Sequence, residues 1–71
     1  QPMRCAFDGR YKLCIHLLSR DELYDLKEDP DEMVNLIDSE AHAQVRNQLH
    51  DAILAEMNRT RDPFRGYYWH R

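Results

Sequence analysis

The chain has 71 residues, a formal net charge of -3 and two cysteines. That is one small domain at most, burying only about 60% of the surface its unfolded form exposes. Its basic residues are interspersed with acidic ones, which excludes the clustered basic face of a nucleic-acid binder. No apolar run approaches the roughly 20 residues that span a bilayer.

Residues 3–7 read as a first strand, followed by Asp8-Gly9 and a second run from Arg10 to Leu18. Asp-Gly between apolar-rich runs predicts a hairpin whose two-residue turn needs positive φ. In the second run Tyr11, Leu13, Ile15 and Leu17 share one parity and describe a core face. Lys12, Cys14, His16 and Leu18 share the other, a mixed face that suits a sheet covered on one side. Cys5 and Cys14 make neither a dense disulfide framework nor a C-x-x-C site. The sequence favours two buried, reduced thiols over a cross-strand disulfide.

Ser19-Arg20-Asp21 reads as a turn and residues 22–26 as a third strand, giving an antiparallel meander. Three strands are about the minimum for a stable sheet. Asp29-Pro30-Asp31-Glu32 carries an N-cap acceptor, a proline at the first helical position and a glutamate at the third. These predict a helical turn over about 30–35, ended by Asn35 in a left-handed conformation with Leu36 tucking back.

Asp38-Ser39 then caps a main helix over about 40–58, with Val45, Leu49, Ala52, Ile53, Glu56 and Met57 at helical spacing. The predicted fold class is α+β: a small antiparallel sheet of three to four strands covered on one face by a long C-terminal amphipathic helix. The tail, 62–71, contains Phe64, Tyr67, Tyr68 and Trp69, and such an aromatic end implies a surface to lie on.

Chemistry-bearing residues are few. The acidic group Asp25, Glu28, Asp29, Asp31 and Glu32 does not have EF-hand spacing, and helix capping accounts for Asp29 and Glu32. His16, His42, His50 and His70 have no zinc-ligand spacing; His42 and His50 are placed on the polar side or edge of the helix, and His16 on the mixed sheet face. Cys14 and His16 share a strand face, but no Gly-rich nest accompanies them. Asn58-Arg59-Thr60 fits a glycosylation sequon that a fraying helix end explains equally well. The reading therefore assigns no catalytic and no metal-binding residue to the chain.

Arg10-Tyr11-Lys12-Leu13, then Glu22-Leu23-Tyr24-Asp25-Leu26, Asp29-Pro30, Glu32 and Asn35-Leu36, resembles the C-terminal signature of the sulfatase family. The resemblance covers roughly residues 4 to 60. It implies a C-terminal subdomain, residues 1–71, packed on a large catalytic α/β domain of alkaline-phosphatase type. It further implies a parent that hydrolyses sulfate esters with a formylglycine and a divalent cation, usually calcium. The chain itself holds no such cofactor, since neither Cys5-Ala6-Phe7-Asp8-Gly9 nor Cys14-Ile15-His16-Leu17-Leu18 matches the formylglycine motif Cys-x-Pro/Ala/Ser-x-Arg. By the same analogy Arg65 and Trp69 are candidate contacts at the rim of the substrate pocket. Two other readings stand beside this one: a parent acting on phosphonate or phosphate esters, and a free-standing protein-interaction module. The expected partner is the large domain, without nucleic acid or membrane, and cytoplasm and periplasm are equally open as compartments.

Overall fold

A computed structural model describes residues 3–16 and 19–62 of the chain. Strand β1 (Met3–Phe7) pairs antiparallel with β2 (Tyr11–His16), which pairs antiparallel with β3 (Glu22–Asp25). The sheet order is β1-β2-β3. A short 3-10 turn (Glu40–His42) leads into helix α1 (Ala43–Thr60), which covers one sheet face. This is the small α+β arrangement that the periodicities predict.

The hairpin turn sits one position later than Asp8-Gly9. Asp8 N–H donates to the Tyr11 carbonyl at 3.2 Å, so the two-residue loop is Gly9-Arg10. Gly9 has φ +103°, a conformation that a side chain at that position would strain. The Asp8 carboxylate accepts from the backbone N–H of Arg10 (2.9 Å) and Tyr11 (2.7 Å), which locks the turn and holds the Asp8 carboxyl below its ordinary pKa. Strand β2 thus starts at Tyr11, and Leu17 and Leu18 lie outside the described residues. The Asp21 carboxylate accepts the His16 N–H at 3.0 Å across the second turn.

This register puts Cys5 directly opposite Cys14, with Cα atoms 4.2 Å apart, and the two form a disulfide. The expectation of two reduced thiols is corrected: on adjacent strands in that register the sulfurs meet.

Leu13, Ile15 and Leu23 are fully buried and pack with Leu49, Ile53, Leu54 and Met57 of α1. Ala6, Tyr11, Leu36, Ile37 and Val45 close the margins. The stripe of α1 is rotated from the predicted one. Leu54 and His50 face inward, whereas Ala52 and Glu56 are exposed. His50 is therefore a buried side chain and not a polar-face one. Glu56 instead pairs with Arg59 on the outer surface, which lowers its carboxyl pKa.

The ends of α1 also depart from expectation. Ser39 caps the 3-10 turn without a side-chain cap bond, and its hydroxyl meets His42 Nδ1 at 2.8 Å. At the other end Arg61 adopts a left-handed conformation, with Arg61 N–H bonded to the Asn58 carbonyl and Asp62 N–H to the Met57 carbonyl. That is a Schellman closure made without glycine. The Thr60 hydroxyl donates to the Glu56 carbonyl at 3.0 Å, so the sequon residues serve the helix end. Arg4 then ties β1 to this end through Asp62.

No helix forms over 30–35. Glu32 N–H donates to the Asp29 carbonyl at 3.0 Å, making a tight turn with Pro30 at its second position. Glu32 then turns left-handed, with φ 56°, which stops propagation. The Asp29 carboxylate still accepts two backbone N–H groups, from Met33 at 3.0 Å and Val34 at 2.8 Å. Asn35 is not the left-handed residue; its side chain works as a surrogate strand. Its Oδ1 accepts Leu23 N–H (3.0 Å) and Ile37 N–H (3.0 Å), and its Nδ2 donates to the Asp21 carbonyl (3.1 Å). Leu36 N–H completes the cover on the Leu23 carbonyl at 2.7 Å.

Two stability outcomes follow. Asn35→Ala leaves the N–H of fully buried Leu23 without its acceptor and is expected to cost about 2 kcal/mol, measured by urea unfolding; Asn35→Asp, which keeps the acceptor, should cost less. The Cys5–Cys14 link closes a loop with a sequence separation of 9. Removing it by Cys5→Ser, or by a dithiol reductant, is expected to lower stability by about 2.5 kcal/mol on loop-entropy grounds, read as a lower melting temperature.

Candidate functional site

The face of the sheet opposite α1 is the candidate site. Cross-strand partners share a face, so the register assigns Met3, Cys5 and Phe7 of β1, Lys12, Cys14 and His16 of β2, and Glu22 and Tyr24 of β3 to this side. It combines polar pairs with exposed apolar groups. Met3 is 48% exposed and Phe7 59%, and on the adjoining loop Met33 is 79% and Val34 58% exposed. Large side chains so exposed on a small domain mark an interaction surface.

The polar groups form a connected line. Tyr24 O–H donates to Glu22 Oε1 at 2.6 Å, and His16 Nε2 meets Glu22 Oε2 at 2.7 Å. The Tyr24 hydroxyl, then His16, hold the Glu22 carboxyl below its ordinary pKa. The same carboxylate pushes the Tyr24 phenol up to about 12. Lys12 forms an ion pair with Glu32, which fastens the 29–35 loop beside this face. His16 thus lies on the mixed face, as its parity predicts, and it is paired with a side chain of the neighbouring strand. Cys14 is spent on the disulfide and is no partner for a His16-based nucleophile.

At the sheet's end Arg10 and Asp25 form a two-pronged pair, Nε to Oδ1 at 2.9 Å and Nη2 to Oδ2 at 2.8 Å. Buried Asp25 also accepts Lys27 N–H at 3.1 Å. Arg10 is the main reason that the Asp25 carboxyl falls to about 2, and the Arg10 pKa rises in turn. The acidic group read from the sequence therefore divides among different jobs: Asp25 on Arg10, Asp29 on a turn and Glu32 on Lys12. Among the described residues no three His, Cys, Asp or Glu side chains are grouped to hold a metal ion. Among them, too, no helix is long and apolar enough to cross a membrane. Arg65 and Trp69 lie outside the described residues.

The signature residues are thus tied to one another: Arg10 to Asp25, Lys12 to Glu32, Tyr24 to Glu22, Leu13 opposite Leu23, and Asn35 and Leu36 on Leu23. Residues 1–59 match the family model described as N-sulphoglucosamine sulphohydrolase, C-terminal. The chain belongs to this sulfatase C-terminal family. It is also 50% identical over 68 residues to the uncharacterized sulfatase YidJ of Escherichia coli (strain K12). That alignment covers 96% of this chain and 14% of the relative, so the sulfatase C-terminal unit spans a small part of the protein it resembles.

Sequence reasoning missed the Tyr24–Glu22–His16 line and the Lys12–Glu32 pair, although parity had put Lys12 and His16 together. The His16–Glu22 contact depends on the pairing of β2 with β3 and the Lys12–Glu32 pair on the path of the loop beyond β3, neither of which composition reveals.

The sign of the acid response follows from the lowered Asp25 value. A carboxyl depressed from 3.8 to about 2 on folding contributes stability that is complete by about pH 5 and is lost as pH falls from there through 2. Urea melts at pH 5 and pH 2.5 should show a smaller acid loss for Asp25→Asn than for the natural chain, although the variant is the less stable at pH 5.

Proposed function

We propose that this chain is the C-terminal subdomain of a sulfuric ester hydrolase, and that its open sheet face rests on the large catalytic α/β domain of the same protein. The observation that carries the reading is the exposed apolar set: Met3 and Phe7 on the side that α1 leaves uncovered, with Met33 and Val34 on the loop that Glu32 ties to Lys12 of that side. Family membership and the 14% span of the sulfatase relative support it, since most of such a protein lies outside these residues. A domain of this size gains stability from a neighbouring surface, because its own interior is small.

The formylglycine and divalent cation, usually calcium, that the family implies belong to the large domain in this reading. The described residues here do not fit either group: Cys5 and Cys14 are joined to each other, and the acidic side chains are divided among separate partners. The subdomain's share is to pack and to shape the pocket. Arg65 offers forked donors to a sulfate oxyanion and Trp69 a stacking face, which makes them rim contacts for the substrate.

The whole protein with Met33→Lys and Val34→Lys tests the docking. Its melting temperature should fall by the equivalent of about 2 kcal/mol or more, with a parallel loss of aryl sulfate hydrolysis. Arg65→Ala and Trp69→Ala should raise KM while leaving the melt unchanged. An intact protein that hydrolyses no sulfate ester, or one indifferent to lysine at positions 33 and 34, defeats the proposal.

A further inference from the structure

The Cys5–Cys14 disulfide lies inside the proposed docking surface. On β1, Cys5 stands between Met3 and Phe7 with all three on the uncovered face, because alternate residues of a strand share a side. The two sulfurs are unequally placed. Cys5 is exposed, whereas Cys14 is only 6% exposed. Thiol–disulfide exchange is an in-line displacement at sulfur, so access along the S–S axis decides which sulfur is attacked. Attack on Cys14 would have to come from the β3 side, where Glu22 stands directly opposite and its carboxylate repels an incoming thiolate. Cys5 is therefore the sulfur that a reductant reaches.

Opening the link bears on the docking surface more than on the interior. The disulfide is on the other side of the sheet from α1, and the core of Leu13, Ile15, Leu23 and the inner helix residues contains neither cysteine. The link clamps β1 to β2 midway between Met3 and Phe7. It so holds those two exposed side chains in place relative to the 29–35 loop, which Lys12 of β2 fastens through Glu32.

We propose that Cys5–Cys14 is a redox latch for docking: closed, it keeps the contact surface in the shape that the large domain accepts, and opened by a dithiol reductant, it releases the subdomain from that domain. The proposal rests on the docking reading above and adds a control to it. A thiolate of the dithiol attacks Cys5 Sγ, and the S–S electron pair leaves with Cys14 Sγ, which takes up a proton. The second thiol, deprotonated, attacks the dithiol's own sulfur in the mixed disulfide and expels Cys5 as a thiolate, which is protonated in turn. The dithiol ends as a cyclic disulfide, and both cysteines are reduced.

Hydroxyl-radical footprinting of the intact protein, with and without dithiothreitol, tests it. Met33 and Val34 are the reporters, since they lie off β1 and do not answer to local fraying of that strand. Reduction should raise their labelling about fivefold or more, the lower end of the coupling usual between linked sites, while Leu13 and Ile15 under α1 stay protected. Met33 and Val34 protected in both states leave the docking standing and remove the latch. Labelled in both states, they remove the docking and the latch with it. If Leu13 and Ile15 are also labelled on reduction, the link is merely structural and the latch falls. The Cys5→Ser, Cys14→Ser double variant should be labelled at Met33 and Val34 without dithiothreitol and no further with it; a remaining response to the reagent places the cause at other cysteines and overturns the proposal. With glutathione as the probe, the mixed disulfide should be found on the tryptic peptide of residues 5–10, which holds Cys5. A majority on residues 13–20, which hold Cys14, overturns Cys5 as the attacked sulfur.

Discussion

Every pairing of β1 with β2 depends on the loop being Gly9-Arg10. Had Asp8-Gly9 been the loop, Phe7 would face Arg10 and Cys5 would face Lys12. The Asp8 carboxylate on two following N–H groups and the positive φ at Gly9 select the other register. It places Ala6 opposite Leu13 and Arg4 opposite Ile15, on the side that α1 covers. It brings the two cysteines together and releases Arg10 from the strand to clasp Asp25. A two-residue loop sets side-chain alternation for everything paired beyond it.

Seen in space, the sulfatase C-terminal signature is a map of contacts. Arg10 and Asp25, fifteen positions apart, make a forked pair at the sheet's end. Asn35 stands in for a missing strand by satisfying both Asp21 and Leu23. Lys12 reaches across to Glu32 and keeps the intervening loop on the uncovered side. These residues are specified by geometry within the subdomain, and their mutual contacts account for the spacing of the motif. Among the described residues, what remains unaccounted for by internal contacts is the exposed apolar set, Met3 and Phe7 of the outer face with Met33 and Val34 of the adjoining loop. Its members have no role in the small interior, and that asymmetry carries the docking proposal.

Much of the architecture was legible in the sequence. The strict parity of Tyr11, Leu13 and Ile15 marked the core face, and the spacing of Leu49, Ile53 and Met57 marked the helix side that covers it. Both readings use only local period. Three of the misreadings share a cause: the decisive partner was distant in sequence. Asp29-Pro30-Asp31-Glu32 has the ingredients of a helix start, yet the Glu32 carboxylate finds Lys12 and its backbone turns left-handed. Ala52 and Leu54 are nearly interchangeable in a periodicity count; the position of the sheet beneath α1 decides which is buried. The cysteines looked like isolated small hydrophobes because their separation carries no disulfide pattern until the register is known. The candidate face was visible as the mixed parity of Lys12, Cys14 and His16, whereas Arg65 and Trp69 rest on family analogy.

The disulfide has one more consequence. It joins β1 to β2 across the turn that separates them, so the hairpin becomes a closed covalent ring. A protease that clips the exposed Asp8-Gly9 bond therefore yields two pieces that stay attached through the disulfide, still in register. This bend can be nicked without releasing a fragment until the sulfurs are reduced.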